Sequence, residues 1–369
     1  RIQSELDALH EKDQFRVLRD IKKDGLLNLS SNDYLGLSAM PELREEFYAD
    51  LQNCPSDETY ALSSSSSRLL TGNHPGYPEL EQTLSRMYNN RAALVFNSGY
   101  HANIGILPAL TTKKDLILCD KLNHASIIDG IRLADAQFKR YPHLDYAVLE
   151  NLLAKNSAEY ENIFIISESV FSMDGDAADL RRLVALKQKY NATLIVDEAH
   201  SVGVFGTTGC GLAEEQGVLD QIDIIIGTFG KAFCSTGAYA IMDVAVRDYL
   251  INKMRSFIFT TALPPVVVNW SRFVLSKTIG MKKRRAHLLK LSAKLCDGLK
   301  TVSDSQIVPF IVGENAAAVA LSEKLREAGI LVFAIRPPTV PAGTARLRFS
   351  LTANLTEEDI DKILEVLSI

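Results

Sequence analysis

From about residue 92 to 243 the chain alternates short apolar runs with longer segments whose apolar positions recur at helical spacing. The runs Ala92 to Phe96, Leu116 to Cys119, Ile163 to Ser167, Thr193 to Val196, Ile222 to Ile226 and Ala238 to Met242 are too short for buried helices. Most are rich in Val, Ile or Phe, and all are predicted as strands. Ala178 to Tyr190 places Leu180, Leu183 and Leu186 along one face, as an amphipathic helix does. Strands and helices in series predict an α/β fold around a mainly parallel sheet covered on both faces.

Beyond residue 280 the pattern changes. Leu288, Leu291, Leu295 and Leu299 mark a basic amphipathic helix, and Thr356-Glu357-Glu358-Asp359 resembles a capping box before a final helix. A second, smaller α/β unit is expected there. The organisation read from the sequence is an N-terminal segment over 1–43, a large domain over 44–268 and a small C-terminal domain over 269–369.

Composition narrows the partners. The chain has 369 residues, 47% hydrophobic and 23% charged, enough for a sizeable core. Its net charge of -5 gives no broad attraction for nucleic acid or anionic lipid, so small molecules are the expected partners. The five cysteines are scattered without a C-x-x-C pair, which suggests neither a disulfide framework nor a zinc site, and no metal is expected. No apolar stretch approaches the roughly 20 residues that cross a bilayer, and Arg1 to Glu11 lacks a signal-peptide core. A cytoplasmic protein with no membrane or nucleic-acid partner is expected.

In open sheets of this kind, ligands bind beyond the carboxyl ends of the strands, so polar residues that follow apolar runs are the ones to weigh. TLIVDEAH puts Asp197 and His200 there. Taken alone they fit a capped turn with a structural histidine as well as a functional pair. IDIIIGTFGKAF puts Thr228 and Lys231 after the next strand, with Gly230 leaving room beside the lysine. A lysine buried on that turn would have a lowered pKa and act as a nucleophile toward an aldehyde; an exposed one would only reach for solvent. Asn97-Ser98-Gly99-Tyr100 joins a strand to a helical segment, where free backbone N–H groups suit a phosphate as well as a plain connection. A carboxylate, a lysine and an anion cradle are the parts that hold pyridoxal 5'-phosphate (PLP).

These residues lie in segments that resemble the α-oxoamine synthases, fold-type I PLP enzymes that condense an amino acid with an acyl thioester. The likeness runs through NLSSNDYLGLS (Asn28 to Ser38), NHAS (Asn123 to Ser126), SESVFSMDGD (Ser167 to Asp176), DEAHSVGVFG (Asp197 to Gly206) and TFGKAF (Thr228 to Phe233). It implies that Lys231 bonds the cofactor covalently and that Asp197 keeps the pyridine nitrogen protonated. His200 and Ser172 would meet the phenolic oxygen. His124 would stack on the ring and orient the acyl thioester. Ser98, Gly99, Tyr100 and Thr228 would hold the phosphate, Glu168 would lie at the cofactor and Asn32 at the substrate.

The stretch AIRPPTVPAGTARLR, Ala334 to Arg348, is similar to the family members that join L-alanine to a pimeloyl thioester, carried by coenzyme A or by an acyl carrier protein. Arg336 and Arg348 become candidates for the substrate carboxylate, which a guanidinium grips in two places. Thr339 and Arg16 match further substrate positions. A glycine-using acetyltransferase of the same family is the first alternative and a non-catalytic partner subunit the second. The family further implies a homodimer, with the loop Ser63 to Gly72 near its boundary. Two positions depart from the pattern: Cys234 stands where a glycine is common, and Asn354 where a histidine is common.

Overall fold

The computed structural model describes residues 1–12, 14–15, 18, 25–53 and 57–368. By contacts the chain divides into two units. The larger comprises Leu35–Phe171 and Ala177–Arg285; the smaller comprises Arg1–Tyr34, Ser172–Asp176 and Ala286–Ile369.

Among the described residues the strands, in chain order, begin with β1 (Leu27–Asn28), β2 (Ala92–Phe96), β3 (Leu116–Asp120) and β4 (Gln137–Tyr141). Then come β5 (Ile163–Glu168), β6 (Thr193–Asp197), β7 (Ile224–Thr228) and β8 (Ala238–Met242). The last four are β9 (Ile307–Gly313), β10 (Ile330–Leu331), β11 (Ala334–Ile335) and β12 (Ala345–Ser350).

The larger unit is built on the sheet β2-β8-β7-β6-β5-β3-β4. Neighbours from β7 through β4 pair in parallel, and β8 pairs antiparallel with both β2 and β7. β2, β3, β5, β7 and β8 are buried along their whole length, as strands covered on both faces must be. The expected mainly parallel sheet is therefore present, and the expected strands at Ala92–Phe96 and Ala238–Met242 have the expected bounds. The strand expected at Ile222 begins at Ile224 and continues to Thr228, and just before it the Asp223 side chain accepts the backbone N–H of Leu194.

β4 was not expected from the sequence. Its residues QFKRY carry little apolar pattern, and four of the five are exposed at the sheet edge. Charged residues on an edge strand discourage pairing with another chain.

The core beneath the sheet gathers Leu94, Phe96, Ile106, Ile117, Ile166, Ile195, Ile226 and Met242. Two helices, Gly99–Leu110 and Ala125–Leu133, pack their Ala102, Ile106, Leu107, Ile127 and Ile131 into it. They approach closely because of Gly130, where an added Cβ would lie 2.2 Å from the carbonyl oxygen of Asn103. The helix Pro265–Thr278 belongs to this unit as well.

The smaller unit holds a three-stranded antiparallel sheet of order β11-β12-β9 and a parallel pairing of β1 with β10. The helix around Leu288 to Leu299 spans Lys282–Leu299, with those four leucines buried. The capping box forms as expected, Thr356 and Asp359 exchanging hydrogen bonds ahead of Glu357–Leu367. Gly175, in the SMDGD segment, has φ 71° and a Cβ there would lie 1.9 Å from the Ile307 carbonyl, so only glycine fits.

Candidate functional site

The carboxyl ends of neighbouring parallel strands place the candidate residues of the larger unit. β5 ends on Glu168 and β6 on Asp197, and the two are register partners. β7 ends on Thr228, after which the backbone turns and brings Lys231 back; the Cys234 N–H donates to the Lys231 carbonyl at 2.9 Å. His124 follows β3 and is the N-cap of the helix Ala125–Leu133.

Lys231 is half-buried, its Nζ 2.8 Å from His200 Nε2, and His200 is buried. Asp197, also buried, accepts the Ala199 N–H at 2.9 Å on Oδ1 and the Asn103 amide at 2.8 Å on Oδ2. It thus caps its turn and presents a charge in one arrangement, so the two readings of DEAH are compatible. No basic side chain among the described residues forms an ion pair with Asp197.

Glu168 accepts the backbone N–H of His124. Burial, reinforced by the charge of Asp197, pushes its carboxyl well above the usual carboxylate range. Desolvation lowers the His124 imidazole, the charge of Asp197 opposes this and that of Lys231 adds to it. Part of the His124 surface stays exposed.

Ser98 caps the helix Gly99–Leu110, its Oγ accepting the His101 N–H at 3.1 Å. A Cβ on Gly99 would meet nothing within 4 Å, so the first helical turn is open to an anion. Tyr100 is exposed and its hydroxyl donates to Asp129 at 2.9 Å. Thr228 donates to the Gly237 carbonyl at 3.1 Å and accepts the Gly230 N–H at 3.1 Å.

In the smaller unit Arg348 donates from Nε to the Ser172 carbonyl and from both terminal nitrogens to Asn32 Oδ1 at 3.3 Å. Asn32 Oδ1 also accepts the Tyr34 hydroxyl at 3.1 Å. Burial raises the Tyr34 pKa, with Arg348 opposing. Asn32, Ser172 and Arg348 are therefore one cluster. Arg336 and Thr339 are joined by a backbone hydrogen bond of 3.1 Å from the Thr339 N–H to the Arg336 carbonyl. Arg16 lies outside the described residues.

The motifs do not single out Asn103, Arg346 or Glu198. Arg346 is buried in an ion pair with Asp174. Asn103 is the buried amide on a helix face otherwise lined by Ala102, Ile106 and Leu107, and that lone polar residue at a core position was its signal in the sequence.

The family model for class I and II aminotransferases matches residues 24–367. The chain belongs to that family. A relative from Chlorobaculum parvum, named 8-amino-7-oxononanoate synthase, is 56% identical over 343 residues, covering 92% of this chain and 88% of the relative. Among solved structures, 8-amino-7-oxononanoate synthase from Francisella tularensis superposes with a TM-score of 0.76 at 31% identity, covering 94% of this chain and 97% of that one. A serine palmitoyltransferase variant from S. paucimobilis with bound PLP and myriocin gives 0.89 at 30% identity, covering 99% and 95%. The enzyme is thus an α-oxoamine synthase of the fold-type I class, and PLP is its cofactor.

The residues present fit that cofactor. Buried Asp197, with no ion-pair partner among the described residues, suits a protonated ring nitrogen. The half-buried Lys231 amine stands beside His200, and the helix that Ser98 caps suits a phosphate.

Proposed function

We propose that the enzyme joins L-alanine to a pimeloyl thioester, giving 8-amino-7-oxononanoate, carbon dioxide and the free thiol carrier. The observation that carries this reading is the 56% identity, over most of both chains, to a relative of that name. The Lys231, His200 and Asp197 arrangement supplies chemistry that a non-catalytic subunit would not need. When bound, PLP supplies the electron sink that lets an amino acid's α-carbon carry negative charge.

The chain's own groups do the rest. The Lys231 amine would hold the cofactor and would serve as the base that takes the proton from the amino acid's α-carbon. Asp197 would keep a proton on the cofactor's ring nitrogen, and His200 and Ser172 would each be hydrogen-bond partners for its phenolic oxygen. His124 would orient the thioester so that a carbon–carbon bond forms at the acyl carbonyl as the carbon–sulfur bond breaks, the thiolate leaving to take a proton from solvent; the former alanine carboxylate then leaves as carbon dioxide and the α-carbon takes a proton in its place. Ser98, Gly99, Tyr100 and Thr228 hold the phosphate, with Glu168 fixing the loop of His124. Arg348 and Asn32 take the substrate carboxylate, with Arg336, Thr339 and Arg16 as further substrate contacts.

Coenzyme A and an acyl carrier protein are both suitable carriers. We also assign the enzyme to the cytoplasm as a homodimer. Exposed Leu62, Leu70 and Phe259 support a partner surface, and no helix among the described residues is long and apolar enough to cross a membrane.

The deciding experiment is a competition. L-Alanine with pimeloyl-coenzyme A is set against glycine with acetyl-coenzyme A, with the amino-ketone identified by mass. Preference for the second pair would overturn the substrate assignment. Borohydride reduction and peptide mapping should place the pyridoxyl group on Lys231, and Lys231→Ala should abolish condensation while still binding PLP noncovalently.

A further inference from the structure

Two residues outside the roles above, Asn103 and Ser126, lie buried between Asp197 and His124. Asn103 Nδ2 donates to Asp197 Oδ2 at 2.8 Å and to Ser126 Oγ at 3.0 Å. A carboxylate offers only lone pairs, so the amide end that faces Asp197 is the NH2, and the orientation of Asn103 is fixed by chemistry. Ser126 Oγ lies 2.7 Å from His124 Nδ1 and, since Asn103 donates to it, keeps its own hydrogen to give to that nitrogen. The Ser126 backbone N–H points at the same nitrogen at 3.2 Å. Nδ1 is then an acceptor, and a neutral imidazole carries its proton on Nε2.

We propose that Asn103 is a positioning residue whose single amide group aims the carboxylate of Asp197 and, through Ser126, selects the Nε2–H form of His124. The proposal rests on the reading of this site as the condensation centre. The group that holds the ring proton and the group that orients the thioester share one anchor. Because desolvation favours neutral His124, the placement of its proton rather than its charge is what the anchor controls. Packing alone does not account for an asparagine here. Its Oδ1 is buried without a hydrogen-bond partner among the described residues, a desolvation cost that a leucine of similar volume would not carry.

The test is 15N NMR of the PLP-loaded enzyme labelled at histidine, with no substrate present and the His124 signals assigned through His124→Gln. In the native protein near neutral pH, Nε2 should be protonated and Nδ1 not. Asn103→Leu and Ser126→Ala should each give mixed tautomers, and Ser126→Thr should restore the single form. Asn103→Leu should also slow α-proton exchange of L-alanine by about tenfold, with its KM changed by less than about twofold. An identical tautomer in native, Asn103→Leu and Ser126→Ala proteins overturns the proposal. If Asn103→Leu does not fold, Ser126→Ala decides alone, since it leaves the Asn103 to Asp197 bond in place. The tautomer is read without amino acid or thioester. A protein that shows the expected tautomers but turns over a different substrate pair therefore corrects the function and leaves this proposal standing.

Discussion

Asp197 and Glu198 are consecutive buried acids at the end of one strand, yet their surroundings differ in kind. Glu198 accepts from the Leu212 and Ala213 backbone at 2.9 and 2.8 Å, from Ser169 at 3.0 Å and from Ser201. Asp197 accepts from one amide and one backbone N–H, and the amide that serves it is itself left partly unsatisfied. Glu198 ties the chain after β6 to the short helix Leu212–Glu215 and has little acceptor capacity left. Asp197 keeps lone pairs in reserve for a cation. Burial alone therefore does not mark a functional acid; unused hydrogen-bonding capacity does.

The largest effect that would break this comparison is in Asp197→Asn. Shape is kept and charge removed, so α-proton exchange of L-alanine should fall by about a thousandfold while the apoprotein's stability changes by less than about 1.5 kcal/mol. Exchange at the native rate would end the claim that this carboxylate tunes the ring. Glu198→Ala should do the opposite. With several buried donors orphaned, we expect a loss of about 3 kcal/mol in denaturant unfolding and near-native turnover per folded molecule.

A pH series sharpens the contrast further. Burial raises Glu198 to about 7, the Ala213 and Leu212 N–H groups opposing. A carboxyl whose folded pKa is raised binds more protons folded than unfolded, so its contribution falls as pH rises from about 4.5 to about 7. Between pH 5 and 7 this amounts to about 2 kcal/mol, and Glu198→Gln should flatten that part of the stability profile.

The smallest effect concerns the loop after Lys231. Cys234 has φ 46°, a left-handed conformation that suits the glycine common at this position in the family. Cys234→Gly should relieve roughly 1 kcal/mol of backbone strain, read as a raised midpoint in thermal unfolding of the apoprotein.

The sheet was legible in the sequence because its central strands are buried on both faces and read as unbroken apolar runs. β4 was not, since an edge strand such as QFKRY needs no apolar pattern. Asp197 and Lys231 could be singled out from their places after apolar runs, whereas His124 could be named only through the family resemblance of its NHAS segment. Asn103 carried no more signal than a lone polar residue among apolar ones, and its partners, 23 and 94 residues away, are beyond the reach of local pattern. Arg348 and Asn32 were named separately; that they share a hydrogen bond could come only from the fold.

Gly130 inverts the usual effect of removing a helical glycine. In most helices a glycine is a weak point, and alanine in its place adds about 1 kcal/mol of stability. Here a single methyl would act as a wedge against the Asn103 carbonyl, 2.2 Å from it, and prise apart the two helices that carry Asn103 and Ser126. A substitution routinely chosen to harden proteins would in this one detune the chemistry, so efforts to evolve a sturdier enzyme must go around this residue.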